Sequence, residues 1–551
     1  MSGQTNSTDA GILSSSAVMA AGTTVSRLSG YVRSILLVAA LGNALHADVF
    51  TIANTVPNML YILLAGGVFN AVLVPQLVRS MKDDPDGGEA YANRVITLAA
   101  VFLGVVTVVL VVAAPLVMSV LLDSSYSEPG LAEQRQSAID FARFCLPQVF
   151  FYGMFVLVGQ VLNSRGRFGP MMWAPIANNV ISVGVLAVYL LVFGPASGAE
   201  RTGAFTSGQE LLLGLGATAG IVAQLLILAP YLKKAGFTYR PRFDFRGTGL
   251  GHTLRLGIWT VLFVIVNQAA YTVVIRLASG GPAESTDGTG VTVYSSSFLL
   301  VMVPHAILTV SLATAILPRL SAQARDTEYA ALAGTLAGTL RTALAVVLPF
   351  AALLPIVAPE VAAVVFSFGA GASNVENFVP TLSLFGIGLV VFTVHYLMLR
   401  GFYALEQTRT VFFIQCAVAL VNIAVAVLLV GRTSAADTTP ALTLAYAAAY
   451  LVGACLSYSV LGRRLGGLHT PRLARFAVRL VLAVLVSTAA ALAVALLLPG
   501  WGEQPGRLTA LWRGTAIGLV DLGVLLLMAR ALRLREITSV VDTVRGRVSR
   551  S

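Results

Sequence analysis

Two arginines lie inside the first long apolar segment of this chain, which runs from Ile12 to Leu41. Arg27 and Arg33 stand there, six positions apart, among aliphatic and small residues. A guanidinium in the middle of a membrane helix costs about 2.5–3.5 kcal/mol on insertion scales. Two such residues predict a polar cavity that holds an anion, and the planar fork of arginine suits phosphate in particular.

The composition indicates that this segment is a membrane helix. The chain of 551 residues is 57% hydrophobic and only 11% charged, and its apolar runs repeatedly exceed the ~20 residues that cross a bilayer. We therefore expect an all-α polytopic membrane protein with about fourteen transmembrane helices. The predicted spans are 12–41, 49–78, 95–122, 137–162, 170–194, 209–231, 254–279, 292–318, 338–366, 380–399, 410–431, 440–461, 476–499 and 511–532.

The basic residues predict an orientation, because cytoplasmic loops retain Lys and Arg. With the N-terminus inside, 27 of the 36 basic residues fall in cytoplasmic connections or the C-terminal tail, and only five fall in outward connections. Topology thus explains the net charge of +11. Because these residues lie in short loops without interleaved aromatic residues, we expect no nucleic-acid partner. Both termini are predicted to be cytoplasmic.

Short stretches of the first six spans recur at a nearly constant offset in the next six. The matching pairs, at offsets of 242 or 243 residues, are Pro75 with Pro318, Arg167 with Arg409, and Asn179 with Asn422. Such spacing indicates two six-helix lobes. Because each lobe has an even number of spans, the lobes are parallel, and a pseudo-twofold axis runs along the membrane normal.

The repeat and the basic linkers divide the chain into six predicted segments. They are an N-terminal six-helix lobe (1–232), a basic cytoplasmic linker (233–253), a C-terminal six-helix lobe (254–462), a second cytoplasmic linker (463–475), two further helices (476–534) and a basic cytoplasmic tail (535–551). Two parallel lobes around a central cavity are an architecture for alternating access.

The first helix also carries a stripe of small residues, which lets a neighbouring helix approach closely. The stripe consists of Gly22, Ser26 and Gly30, each four residues from the next. The two arginines are about 9 Å apart along the helix axis and ~120° apart around it. They do not form one tight clamp, but both can reach into a broad cavity.

Structural roles compete with these assignments. Arg33 could snorkel toward the outer surface or pair with Asp48, and Arg143 in the fourth span could either line the cavity or snorkel. The neighbouring Asn267 and Gln268 in the seventh span could line the cavity or form interhelical hydrogen bonds.

Ordered motifs in the first eighty residues resemble a known family. They are Ser26-Arg27-Leu28-Ser29-Gly30-Tyr31-Val32-Arg33, Gly42, Ala47-Asp48-Val49-Phe50, Pro57-Asn58, Gly66-Gly67-Val68-Phe69 and Val74-Pro75. Their order and spacing resemble the N-terminal signature of the MviN-type lipid II flippases (the MurJ family), in the superfamily of multidrug, oligosaccharidyl-lipid and polysaccharide exporters. The resemblance continues through 163–175, 304–318 and 402–410.

The resemblance implies that the chain moves lipid II, the undecaprenyl-pyrophosphate-linked disaccharide-pentapeptide, from the inner to the outer leaflet of the bacterial cytoplasmic membrane. Peptidoglycan synthesis and cell shape depend on that step. It also implies a lipid-tail groove between the last two helices, and contacts with membrane lipids and cell-wall synthesis proteins. Asp48 is the predicted gate residue on the outer side of the second span. The predicted substrate-binding residues are Ser26, Arg27, Arg33, Asn58 and Arg143.

The chain departs from the family pattern at three places. Tyr61 and Ile62 stand where many relatives have paired arginines, Gly66 replaces an acidic residue, and the stretch 295–302 has no arginine. With fewer cavity arginines, a flippase for another polyprenyl-linked glycan stays an alternative.

Transport without covalent chemistry is the expected activity, so we predict no enzyme. A hydrated cationic cavity lowers the cost of moving a charged head group through hydrocarbon. There is no Walker motif, so membrane potential or a gradient of H⁺ or Na⁺ is the expected drive. Asp521, alone in the last span, is a candidate coupling acid. We expect no cofactor and no metal site, because the three cysteines lack metal-ligand spacing and are predicted to be buried apolar residues.

Two other classes of protein remain as alternatives. A drug or cation antiporter of the same superfamily would need acidic residues in its cavity, where this chain has arginines. A membrane glycosyltransferase would group acidic residues on one membrane face, whereas Asp123, Glu360 and Glu376 are scattered along the sequence.

Overall fold

The computed structural model describes residues 22, 24–64, 86, 88–244, 250–500 and 504–538, with the backbone alone for 250–256. Contacts divide the chain into two compact units, Met1–Thr286 and Asp287–Ser551. The helices of the first unit are α1 (Thr24–Leu41), α2 (Leu45–Ile62), α3 (Glu89–Val112), α4 (Ala114–Leu121), α5 (Ala132–Cys145), α6 (Gln148–Ser164), α7 (Gly169–Val192), α8 (Ser207–Leu226), α9 (Leu228–Lys234) and α10 (Leu250–Glu284).

The second unit is also helical throughout its described residues, apart from turns and loops. Its helices are α11 (Val291–Val301), α12 (Val310–Arg325), α13 (Tyr329–Phe366), α14 (Phe378–Ala404), α15 (Thr408–Val430), α16 (Thr438–Arg464), α17 (Thr470–Leu497) and α18 (Arg507–Ala531). A π-helical turn, His305–Thr309, separates α11 from α12.

The predicted membrane class is confirmed. Thirteen segments within the described residues are helical, long and apolar enough to cross a membrane. They correspond to all the predicted spans except the second. That span, predicted at 49–78, is represented by α2, and its part from residue 65 onward lies outside the described residues. Residues 12–21 of the first predicted span lie outside them as well.

The predicted small-residue stripe is confirmed as a close helix contact between α1 and α7. A Cβ on Gly22 would lie 2.9 Å from the indole nitrogen of Trp173, and one on Gly30 would lie 3.7 Å from the Asn179 amide nitrogen. Side chains larger than glycine at residue 22 would therefore displace Trp173. The absence of Cβ atoms lets α7 support the helix that carries the two arginines.

The compact units do not divide where the repeat places the lobe boundary. The first unit includes α10, which the repeat assigns to the second lobe. The side chain of Gln268 in α10 donates a 2.8 Å hydrogen bond to the Met59 carbonyl of α2, so α10 packs within the first unit. Compactness and internal repetition are separate properties, and the lobe boundaries stay a prediction.

The last two helices of the second unit pack on α13. Phe476 and Leu480 of α17 and Leu525 of α18 form a buried cluster, against which Leu344 and Leu348 of α13 pack. The outward faces of α17 and α18 are apolar and exposed, as Leu497 at 83% and Leu508 at 82% illustrate. This division matches helices that face protein on one side and lipid on the other.

The prediction that all three cysteines are buried is wrong for two of them. Cys145 is buried, Cys416 is half-buried and Cys455 is exposed. Apolar helices of a membrane protein present apolar residues to lipid as well as to the core, so hydropathy does not distinguish the two environments.

Candidate functional site

Arg27 and Arg33 lie on the part of α1 that the structure describes. Arg27 is exposed and Arg33 is half-buried. Neither arginine forms an ion pair with any described acidic residue. The alternative in which Arg33 pairs with Asp48 is therefore wrong for this structure. Two guanidinium groups thus stand on one apolar helix without a counter-charge among the residues that the structure describes.

A hydrogen-bonded asparagine fixes α1 beside α7 at the level of Arg27. The Asn179 amide nitrogen donates to the Ser26 carbonyl at 2.9 Å and to the Ser29 hydroxyl at 2.8 Å. The Ser29 hydroxyl donates in turn to the Ser26 carbonyl at 2.9 Å. These bonds engage the backbone carbonyl of Ser26, next to Arg27, and the substrate-binding role of Ser26 stays a prediction.

Amide and phenol side chains from α2 and α6 meet in the same unit. The Gln148 amide nitrogen donates to the Asn54 side-chain oxygen at 3.2 Å. Further along both helices, the rings of Tyr61 and Tyr152 lie with their centroids 4.7 Å apart and their planes 35° apart. Arg33 lies within electrostatic range of the Tyr152 hydroxyl. Tyr152, which the sequence does not mark as a site residue, therefore lies near one of the predicted arginines.

The remaining predicted residues of α2 lie in different environments. Asn58 is exposed, one turn from Asn54. Asp48 is fully buried in the first turn of α2, where a carboxylate is favoured by the helix dipole. Asp48 lies within electrostatic range of the buried Tyr126. The gate role of Asp48 stays a prediction.

Aromatic and imidazole groups pack near the first turn of α2, where Asp48 lies. The His46 ring stacks on Phe205 with the centroids 3.5 Å apart, and its Nδ1 lies 3.0 Å from the Gly203 carbonyl oxygen. His46 itself is fully buried. Asp48 therefore lies in a tightly packed part of the first unit.

Two further arginines have partners of their own. Arg143 is about half exposed and forms a 2.8 Å ion pair with Asp140, one turn earlier on α5. Arg276 donates to the Ser119 carbonyl at 2.8 Å and to the Val120 carbonyl at 3.1 Å. Arg276 thus caps the end of α4, where the last carbonyls of a helix lack partners. The assignment of Arg143 to the substrate site stays a prediction.

The second unit contains a charged contact that sequence reasoning missed. The Arg513 guanidinium donates to the Glu360 carboxylate at 2.9 Å, and only 2% of each side chain is exposed. Arg513 also donates to the Gly500 carbonyl at 2.9 Å. The orientation predicted from the sequence places Arg513 in an outward connection, and Glu360 is one of the acidic residues scattered along the sequence. Their distance in sequence of 153 residues concealed the pairing.

The arrangement in the first unit can bind without reacting. Guanidinium groups supply charge and parallel donors for an anion, and the nearby amide and phenol groups both donate and accept hydrogen bonds. The thirteen candidate spans make the chain a polytopic membrane protein, and these groups have the chemistry to bind a polar or anionic solute.

Comparisons with known proteins identify the kind of transporter. The family model described as "Lipid II flippase MurJ" matches residues 37–504. The lipid II flippase MurJ of Burkholderia cenocepacia is 28% identical over 484 residues, which are 84% of this chain and 86% of that protein. Since the family model covers most of the sequence, the chain belongs to the lipid II flippase MurJ family.

Solved structures agree on the fold. A lipid II flippase MurJ in an inward closed conformation superposes with a TM-score of 0.71 at 16% identity, covering 94% of this chain and 99% of that one. An inward-facing multidrug-resistance transporter of the MATE family gives a TM-score of 0.61 at 15% identity, covering 80% of this chain and 95% of that one. The predicted all-helical transporter fold is therefore confirmed.

The family match does not reach the two arginines. It begins at Leu37, after both Arg27 and Arg33. The roles of these two residues therefore depend on their placement in α1 and on the resemblance of the surrounding motif.

Proposed function

We propose that this protein is a lipid II flippase, which moves the undecaprenyl-pyrophosphate-linked peptidoglycan precursor from the inner to the outer leaflet. One observation of the structure carries the proposal. Arg27 and Arg33 lie on a membrane helix with no acidic partner among the described residues, as a site for an anionic ligand requires. Membership of the MurJ family supports lipid II as that ligand.

The physical problem is to carry a diphosphate and its attached sugar and peptide across hydrocarbon. Burying an isolated anion in a medium of low dielectric costs many kcal/mol, so the charge needs a polar route. In the proposed mechanism Arg27 and Arg33 bind the diphosphate, and alternating access exposes it to one side of the membrane and then to the other. No bond is made or broken. The polyprenyl tail stays in lipid, along the exposed apolar faces of α17 and α18.

We propose the membrane potential or an ion gradient as the drive. In a cell with a negative interior, each negative charge that moves fully outward gains about 2.3 kcal/mol per 100 mV. A diphosphate head group therefore moves outward with the potential, and the return of an empty cationic cavity moves positive charge inward with it. Collapsing the potential in vesicles with an ionophore is expected to slow translocation.

The decisive experiment measures lipid II translocation by purified protein in proteoliposomes. Arg27→Ala is expected to abolish translocation and to weaken binding of lipid II, because the charge and its two-bond fork are both removed. Arg27→Lys is expected to recover only part of the activity, since an ammonium keeps the charge without the fork. Arg33→Ala is expected to reduce translocation, but by less than Arg27→Ala does.

Arg325→Ala is the matched control. Arg325 is 78% exposed and pairs with the adjacent Asp326, so its removal is expected to leave translocation unchanged. Normal translocation by Arg27→Ala would refute the anion site. If the protein moved another polyprenyl-linked glycan and not lipid II, the anion site would still be supported and only the proposed substrate would change.

We also propose that both termini are cytoplasmic, as the distribution of basic residues predicts. Single cysteines in a cysteine-free variant at 124–134 and 280–290 are expected to react with impermeant thiol reagents outside intact cells. Cysteines at 465–470 are expected to be protected. The reverse labelling pattern would invert the orientation.

A further inference from the structure

Five uncharged polar side chains form one face across α2 and α6, which we name the neutral stripe. They are Asn54, Asn58 and Tyr61 on α2, and Gln148 and Tyr152 on α6. Residues spaced by three or four positions share one side of a helix, so each helix presents its members together. The two helices meet at this stripe through the Gln148–Asn54 hydrogen bond and the Tyr61–Tyr152 ring contact.

The tyrosines of the stripe differ from other tyrosines of the protein. Their hydroxyls donate or accept no hydrogen bond within the part of the chain that the structure describes, yet both side chains are only half-buried. By contrast, the hydroxyls of Tyr91, Tyr126 and Tyr446 are sealed from their surroundings and lack partners. The side chains of Tyr61 and Tyr152 are each only partly buried, so part of each side chain can contact a ligand.

The chemistry of the stripe differs from that of the arginines. A guanidinium only donates hydrogen bonds, which suits phosphate oxygens that only accept them. Amides and phenols both donate and accept, as do the hydroxyls of a sugar. A phenol ring also offers a flat apolar face, with negative potential, to the C–H groups of a sugar ring. The stripe is therefore matched to a carbohydrate and not to an anion.

The neutral stripe lies near one of the two arginines. Arg33 acts electrostatically on the Tyr152 hydroxyl, so a diphosphate bound at Arg33 would lie near the Tyr152 end of the stripe. In a lipid-linked diphosphate sugar, the first sugar is bonded directly to the distal phosphate. A diphosphate held at Arg33 therefore places that sugar ring within reach of neighbouring side chains.

We propose that Asn58, Tyr61 and Tyr152 form a subsite for the sugar ring attached to the diphosphate. Asn54 and Gln148 are positioning residues, because their mutual hydrogen bond joins α2 to α6 below the two rings. This inference rests on the proposed function, since it takes the diphosphate at the arginines as given. It explains how a site with few cationic residues distinguishes a glycosylated lipid from a bare lipid diphosphate.

The competing explanation is that the two tyrosines only fill space. Tyr61 does pack against a buried cluster that includes Leu103 and Phe155, so its ring contributes to the core on one side. A packing role predicts that removing the ring destabilises the protein and affects all ligands alike. A sugar subsite predicts that only glycosylated ligands are affected.

The test compares two probes on the full-length protein in detergent micelles. One probe is lipid II, and the other is undecaprenyl diphosphate, which has the same tail and diphosphate but no sugar. Tyr152→Ala and Tyr61→Ala are expected to weaken lipid II binding about tenfold, a contribution typical of one aromatic contact with a hydrogen bond. Binding of undecaprenyl diphosphate is expected to stay the same, which also shows that the variants are folded.

Phenylalanine variants separate the ring from the hydroxyl. Tyr152→Phe keeps the ring and is expected to lose a few-fold in lipid II affinity, between the parent and Tyr152→Ala. Tyr91→Phe is the matched control, because it removes a tyrosine hydroxyl that is sealed from any ligand. It is expected to change neither affinity.

The outcomes distinguish this inference from the proposed function. Arg33→Ala is expected to weaken both probes, since both carry the diphosphate. If the alanine variants of Tyr61 and Tyr152 weaken both probes equally, or neither, the sugar subsite is refuted while the flippase proposal stands. If the parent protein binds neither probe, both proposals fail together.

Discussion

The two units use arginine in opposite ways. In the first unit, Arg27 and Arg33 stand on α1 without an ion pair among the described residues. In the second unit, Arg513 is 1% exposed and bonded to Glu360, which is equally buried. The first arrangement leaves charge available to a ligand, whereas the second neutralises charge between two helices.

The difference shows how a buried charge can be assigned a role. A buried ion pair recovers its desolvation cost only through its partner, so each member depends on the other. An arginine with no partner recovers that cost only from a ligand or from water. The Arg513–Glu360 pair therefore holds α18 against α13, and the arginines of α1 are left for binding.

The largest stability effect is expected where this pair is broken. Arg513→Ala or Glu360→Ala leaves one uncompensated charge in a buried position and is expected to cost about 3–5 kcal/mol. The loss should appear as a lower midpoint of thermal unfolding in detergent, followed by tryptophan fluorescence. Trp512, the neighbour of Arg513, is one of the four tryptophans that contribute to this signal.

Replacing both members is the control for this prediction. The double variant Arg513→Met with Glu360→Leu fills similar volume without charge, and it is expected to unfold near or above the parent midpoint. A double variant as unstable as the single ones would show that packing, and not electrostatics, holds α18 in place.

The sequence predicts the class of fold well and long-range pairs poorly. Hydropathy identified thirteen spans that the structure contains, because a membrane helix must satisfy its own backbone and be apolar along its whole length. The spacing of Gly22, Ser26 and Gly30 likewise predicted a close helix contact, since it depends on local geometry. The identity of the partner helix, α7, could not be read from spacing.

Contacts between distant residues explain what was missed. Glu360 and Arg513 are apolar-helix residues 153 positions apart, and nothing local marks them as neighbours. Tyr152 and Tyr61 read as ordinary aromatic residues of membrane helices until the structure brings them together. The arginines of α1 were found because a charge in an apolar run is anomalous by itself.

An intermediate loss of stability is expected when the uncharged hydrogen bond between Gln268 and Met59 in the first unit is removed. Gln268→Leu removes the hydrogen bond to the Met59 carbonyl, which keeps its helical bond from the Leu63 amide, so the expected cost is that of one ordinary hydrogen bond, about 0.5–1.5 kcal/mol. Thermal unfolding should show the loss. Gln136→Leu, at an exposed glutamine of α5, should leave the midpoint nearly unchanged.

A smaller effect is expected at the exposed ion pair between Arg94 and Asp244, whose charged atoms are 2.6 Å apart. The hydrogen bond from Arg94 is the main cause that lowers the pKa of Asp244. A lowered carboxyl pKa means that the bond stabilises the folded chain above the ordinary aspartate pKa. This contribution is lost as the pH falls below that value, through the pKa of the folded state.

Hydrogen exchange can measure how firmly the ion pair between Arg94 and Asp244 holds the segment before residue 245. The backbone amides of Arg240 and Arg242 donate to Asn93 and Thr97, so the segment before residue 245 is held against α3. Asp244→Asn is expected to speed the exchange of those two amides by about two- to threefold at neutral pH. Asp326→Asn, at a comparably exposed pair, should not. Unchanged exchange in Asp244→Asn would mean that the backbone bonds alone hold the segment.

The smallest effect on stability, and the one most specific to the comparison, is expected for Arg27→Met. Methionine keeps the length of the side chain and removes a charge that has no ion-pair partner among the described residues. Its removal therefore breaks no ion pair among the described residues, and Arg27 is exposed, so the unfolding midpoint should stay nearly the same. Arg276→Met is the matched control, because Arg276 bonds two carbonyls of α4 and its loss should lower the midpoint. A midpoint lowered by Arg27→Met as much as by Arg276→Met would show that Arg27 is structural, and the contrast between the two units would no longer hold.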